Sequence, residues 1–374
     1  MLDPAARLQE FPSLEGIAYL NTAAESIPPR CVGEALGQYW RDKLLGMDGR
    51  EPHFAAVESC RAVSARMLGL ADDEVSFCSC SSEAYNLLAG ALDLGRDDEV
   101  VVSDLDFPAG TTPWLRSVRP PRLRLWKSRS DGALATADLE PLLGERTRLV
   151  QVSLISFYNG FRLDWPALRE TVRRLAPQAV LAVDVTQALG RVELDCADAD
   201  LLVSSTHKWT LGIHGGCIVG IPRAGAERLT TRAGGWFHLE NAFDADRFER
   251  AASKEGAASY SVGMPGFAAL YALDAALRYI EGIGVAAISR HADPLVAAAH
   301  DGIASLGLAP LAPRPARPTG IVSFTHPDAD RIHATLLREN IHVMHHAGRI
   351  RIALHGYNTA ADVDRLLAAL RSLV

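Results

Sequence analysis

The 374-residue chain is long enough for one large domain and a smaller one, and it needs no disulfide or metal staple to hold a core. Its net charge of −7, with basic residues scattered along the chain, argues against a nucleic-acid or membrane-surface partner. The start, MLDPAARLQEF, lacks a charged segment followed by an apolar one, and the apolar runs are too short to span a bilayer, so a cytoplasmic protein is expected. The six cysteines have no paired metal or redox spacing, and Cys78 and Cys80 are expected to be buried thiols.

In chain order, a helical pattern over Glu83–Leu94 precedes a valine-rich run at Glu99–Asp104. Similar runs follow at Arg148–Ser156, Ala179–Thr186 and Asp200–Ser204, with a helix at Trp165–Leu175 between the first two of these. Consecutive β-branched and apolar residues in runs this short fit strands buried on both faces. Their alternation with helices predicts a parallel sheet covered on both sides. After about Pro265 the pattern changes. A long amphipathic helix is predicted over Gly266–Gly282, with Phe267, Leu270, Leu273, Leu277 and Ile280 on one side, and a second helix over Val296–Leu306. A proline-rich connection then leads to a strand (Ile321–Thr325), a helix (Arg331–Glu339), strands around His342–His355 and a final helix (Ala360–Leu373). This reads as a second, α+β domain, with no internal repeat.

The chemistry concentrates in AVDVTQALG and VSSTHKWTLGIHGG. Asp184 ends a predicted buried strand, where ligand sites of open parallel sheets lie, and a carboxylate there is costly unless it faces a cation. Lys208 follows the next strand on a turn of small hydroxyl residues. An aspartate and a lysine on neighbouring strand ends suit pyridoxal 5′-phosphate (PLP): the amine forms a Schiff base, and the carboxylate keeps the pyridine nitrogen protonated. A plain ion pair at loop ends is the alternative reading of these two residues alone.

With these neighbours, Ser205-Thr206-His207-Lys208 and Asp184-Val185-Thr186-Gln187, the chain resembles the class V aminotransferase superfamily, which includes cysteine desulfurases and isopenicillin N epimerases. The resemblance runs from YLNTAAESIPP to RIALHGYNTAADVDRLLAAL. It implies an α/β, fold type I PLP-dependent transferase, with a mostly parallel seven-stranded sheet in a large domain (17–264) and a smaller α+β domain (1–16 and 265–374). It implies that Asp184 pairs with the pyridine nitrogen, Gln187 with the ring hydroxyl, and Ser81, Ser82, Ser205 and His207 with the phosphate. Phe107 would stack on the ring where many relatives have histidine. Asn159 would contact the ring oxygen and the substrate, and Arg351 would grip the substrate α-carboxylate, with Arg349 two residues earlier as the alternative. Apart from the resemblance, Asn21, Trp209, His214, Trp236 and His238 are taken as candidates for the lining of the substrate pocket. The loop Ser259–Gly266 would reach a partner's phosphate through backbone N–H groups or Ser261, which implies a homodimer.

Desulfurases of this superfamily take up sulfur on a cysteine shortly before the arginine motif, and NIHVMHHAGRIRIALHG contains none. The expected reaction is therefore β-elimination by a lyase, with epimerisation and transamination as alternatives. Epimerisation needs a second acid/base, for which His345, His346, His355 and Tyr357 are candidates. A non-catalytic PLP-binding regulator would carry a DNA-binding segment, for which the N-terminus is too short. Motifs for dinucleotides, P-loop phosphates or a hydrolase elbow are missing. No metal is expected, since His345 and His346 are adjacent on a strand and point to opposite faces.

Overall fold

The computed structural model describes residues 2–314 and 316–374. A two-residue strand, β1 (Ala18–Tyr19), opens the chain. The central sheet is then built from β2 (Val75–Cys78), β3 (Glu99–Ser103), β4 (Arg122–Trp126), β5 (Thr147–Ser153), β6 (Val180–Asp184), β7 (Leu201–Ser205) and β8 (Cys217–Gly220). Its strand order is β2-β8-β7-β6-β5-β3-β4. Only β8 runs against its neighbours β7 and β2; every other pairing is parallel. The seven-stranded, mostly parallel sheet expected from the sequence is thus present.

The strands hold their places through burial on both faces. Every residue of β2, β3, β7 and β8 is buried, as consecutive apolar runs require when helices cover both sides of a sheet. Edge strand β4 differs: Arg122 and Arg124 alternate along it and pair with the buried Glu99 at 3.7 and 3.3 Å. Charges of this kind discourage further strand addition.

A second sheet is formed by β9 (Ile321–Thr325), β11 (Met344–His346) and β12 (Arg349–Ala353), all antiparallel, while β10 (Ile341–His342) pairs with β1. Ala18 and Leu20, from the start of the chain, pack with Phe324, Ile350, Ile352 and Leu366 in the core beneath this sheet. The long helix Phe267–Ile283 joins two cores. Leu270, Leu273 and Leu277 pack under the central sheet, and Ala272, Ala276 and Ile280 pack with Phe11 and Tyr357. Among the described residues, no helix is long and apolar enough to cross a membrane.

Candidate active site

The cleft lies at the carboxyl ends of β5, β6 and β7, where Ser153, Asp184 and Ser205 meet Thr186, Gln187, His207 and Lys208; Ser81, Phe107 and Phe157 close it. Parallel strands deliver their last residues to one edge, which explains how motifs about twenty residues apart converge.

Asp184 is held from two directions. Its Oδ2 accepts a hydrogen bond from the Tyr85 hydroxyl (2.7 Å) and its Oδ1 from the Thr186 backbone N–H (2.8 Å). The Thr186 hydroxyl in turn accepts from the Ser205 N–H at 3.0 Å, tying the ends of β6 and β7 together. Tyr85 is buried, and desolvation, followed by the nearby Asp184 charge, pushes its phenol well above the ordinary value, so it stays a donor. Sequence reading did not single it out. The available signal was a phenol one helical turn after Ser81, in a helix that opens toward the cleft.

The Lys208 amine lies 5.4 Å from the centre of the Phe107 ring and has no ion-pair partner among the described residues. Burial lowers its pKa, Asp184 opposes that shift, and Arg351 adds to it. His207 stacks on His214 with ring centres 4.0 Å apart. Burial, then the Lys208 charge, lowers His207 to about 4, so its ring is neutral at physiological pH. His214 sits at the rim, 2.8 Å from the Glu25 carboxylate. Gln187 accepts from the Trp209 indole at 2.6 Å and donates to the Ala23 carbonyl at 3.1 Å, leaving one amide hydrogen free.

Helix Ser81–Leu92 begins at the cleft with no side chain capping its first N–H groups. Such an end attracts an anion. Ser81 faces the cleft, whereas Ser82 is absent from its lining. Cys80, expected to be buried, is exposed because it occupies the N-cap position; Cys78, on the strand before it, is buried as expected.

The structure does not bring Asn159 into the cleft. Its amide donates to the Gly132 and Leu311 carbonyls (2.8 and 3.2 Å) and accepts from the Phe161 N–H (3.0 Å), which is the work of a turn residue. Phe157, two residues earlier, lines the cleft instead and meets Phe107 edge to face at 5.1 Å. Trp209 is fully buried as the support of Gln187. His238 is buried and bonds the Ala233 carbonyl, and Trp236 packs beside Phe237 and Phe243. Ser261 bonds Ser76 and the Phe77 carbonyl within its own chain. Asn21 bridges Ala353 and keeps a buried Oδ1 without a partner.

Arg351, on β12, is not among the side chains that line the cleft; it reaches the cleft's wall by donating to the Phe157 carbonyl at 2.8 Å, and its charge acts on Lys208. It is buried, and desolvation, then the charge of Arg349, lowers it to about 9. The donor set fits a phosphorylated pyridine aldehyde: a carboxylate fixed by two donors, an amine of lowered basicity, an aromatic wall, a free amide N–H, and an uncapped helix end beside Ser81, Ser205 and neutral His207.

A family model described as Aminotransferase class-V matches residues 18–366. Over 96% of this chain and 95% of its own length, an uncharacterized aminotransferase, YcbU of Bacillus subtilis (strain 168), is 27% identical. Among solved structures, an apo cysteine desulfurase from Thermococcus onnurineus NA1 superposes with a TM-score of 0.88 at 24% identity, covering 100% of this chain and 98% of its own. The cystine C–S lyase C-DES, in complex with its product cysteine persulfide, superposes with a TM-score of 0.87 at 20% identity, covering 97% and 99%.

Proposed function

This chain belongs to the aminotransferase class-V family of PLP enzymes, and on that premise we propose that it is a β-eliminating lyase that acts at the Cα of an amino acid without a persulfide cysteine. Lys208 would hold the cofactor, Asp184 its ring nitrogen and Gln187 its ring hydroxyl. Ser81, Ser205, His207 and the uncapped helix end would hold the phosphate, with Ser82 contributing backbone N–H alone. Bound PLP supplies an electron sink for charge that develops at Cα.

The remaining chemistry belongs to the chain. Arg351 orients the substrate by its α-carboxylate. The lowered pKa of Lys208 suits its amine to take the Cα proton. The group on Cβ departs with its bonding electrons, and water converts the unsaturated product to pyruvate and ammonia.

One observation favours elimination over epimerisation: with Asp184 and His207 assigned to the cofactor, Lys208 is the one proton carrier left among the described residues that line the cleft. The aromatic side chains of the cleft, Phe107 and Phe157, exchange no protons. His355 is buried between the Trp209 carbonyl and the Gly356 N–H and is lowered to about 3. Tyr357 is buried on the Thr22 hydroxyl. His345 stacks on His333 on the face of its strand away from Arg351. Epimerisation needs a second acid/base on the opposite side of Cα; of the four candidates that leaves His346, which is exposed and not among the side chains that line the cleft. The β11–β12 hairpin supports the absence of a persulfide step. It turns on Ala347 and Gly348 alone, both at positive φ (50° and 75°), which leaves no loop to carry a thiol to the substrate.

The test is product analysis of purified protein with L-cysteine, L-cystine and cysteine S-conjugates. Pyruvate and ammonia in equal amounts are expected. Alanine with sulfur left on the protein, or unchanged amino acid with lost optical rotation, would overturn elimination. Lys208→Ala should abolish turnover and the visible band of covalently held cofactor; retention of both would remove Lys208 from its role.

A further inference from the structure

We propose that Arg349 forms a second anion subsite beside Arg351, so that the substrate is an amino acid carrying a further acidic group on its side chain. This deepens the reading above and rests on Arg351 as the α-carboxylate site. Arg349 and Arg351 project from the same face of β12, two residues and roughly 7 Å apart along the strand. Both are buried, at 4% and 3% exposure.

Neither has a carboxylate within ion-pair distance among the described residues. The contrast with Arg191 is direct. That arginine is also buried, and it pairs with Asp293 at 2.8 Å while bonding the Leu354 carbonyl. A desolvated guanidinium without a counter-charge is costly, and two adjacent ones repel each other as well. Each instead donates a single N–H to the turn that carries Phe157: Arg349 to the Tyr158 carbonyl at 2.7 Å and Arg351 to the Phe157 carbonyl at 2.8 Å. The Nε–H groups of both are buried without an acceptor among the described residues.

The described residues around them supply no hidden partner. The residues opposite on β9 are Ser323 and Thr325, and those opposite on β11 are Met344 and His346. Asp330, near this sheet, faces His345 on the other side. The Arg349 guanidinium lies 4.0 Å from the centre of the Tyr158 ring and 5.7 Å from that of Phe157, the latter a side chain of the cleft lining. One carboxylate on Arg351 and a second anion on Arg349 would supply both missing charges. In an elimination, that second anion travels with the departing fragment, so the leaving group is itself an acid.

Calorimetry on the cofactor-loaded full chain with succinate and with butyrate tests this without turnover, since neither carries an amine. Succinate is expected to bind at least about tenfold more tightly, as a charge-assisted contact predicts. Arg349→Gln should bring succinate down to the level of butyrate and leave butyrate unchanged; Arg351→Gln should weaken both. Equal binding of the two acids by the unsubstituted protein overturns the subsite, whatever the variants do. So does an equal loss for both acids in Arg349→Gln, which would mean that the two arginines grip one carboxylate. The visible cofactor band in the same samples separates the levels: a normal band with equal binding removes the second subsite alone, and no band on adding PLP overturns both readings.

Discussion

Among single residues, Tyr85 does the least advertised work. Its hydroxyl is one of two donors to Asp184, and a hydrogen bond to a charged acceptor is worth about 1.5–3 kcal/mol. Tyr85→Phe should therefore leave the fold intact and raise the dissociation constant of PLP by roughly tenfold, read by titrating the cofactor into the cofactor-free protein; unchanged affinity would mean that Thr186 suffices. His355 sets a stability limit instead. Its folded pKa of about 3 lies below the ordinary 6.5, so the unfolded chain binds more protons between these values. The stability it contributes is complete above pH 6.5 and is lost as pH falls toward 3. Between pH 6.5 and pH 5 the loss from this group is roughly 2 kcal/mol. The fall in urea midpoint over that range should be shallower in His355→Gln, and identical slopes would show that the group is not the cause.

Between elements, the closest approach that matters to the site is that of the Gly320 backbone to the Trp209 ring. A Cβ on Gly320 would lie 2.3 Å from an indole carbon. Trp209 holds Gln187, so a position just before β9 governs a residue of the cleft. Gly320→Ala should cost about 1–3 kcal/mol of stability by overpacking and loosen cofactor binding at the same time. Loss of stability with unaltered cofactor affinity would show that the indole can shift without moving Gln187. Elements also explain where sequence patterns stopped short. Helix Trp165–Leu175 was legible to the residue because Asp164 caps it and Pro166 opens it. Helix Val285–Ser305 begins well before the predicted Val296, because Pro294, which reads as a breaker, is accommodated inside it. β8 went unread: four residues after a glycine pair resemble a loop until β2 and β7 supply their partners.

For the whole molecule, the surface carries two runs of exposed apolar side chains: Trp40, Leu44, Leu45 and Met47 in one, Phe243 and Phe248 in the other. Exposed apolar patches mark association surfaces, and a homodimer is the state expected from the sequence. We expect sedimentation to give twice the mass of one chain, and Phe243→Asp combined with Met47→Asp to halve it. A single-chain mass for the unsubstituted protein would assign these side chains another use.

What the sequence determined by itself was the local chemistry. Asp184 and Lys208 could be picked out because each stands where a buried run meets a turn, and the expected roles of Gln187, Ser205, His207 and Arg351 came with the resemblance that the motifs around them carry. The parallel sheet followed for the same reason, because double burial leaves its mark on each strand separately. What only the tertiary structure decided were the pairings between distant segments: Tyr85 against Asp184, Phe157 rather than Asn159 at the cleft, Trp209 behind Gln187, and two arginines of one strand left without a counter-charge. These depend on which side chains meet after the chain has closed over long distances, and nothing in the spacing of residues along it encodes that meeting.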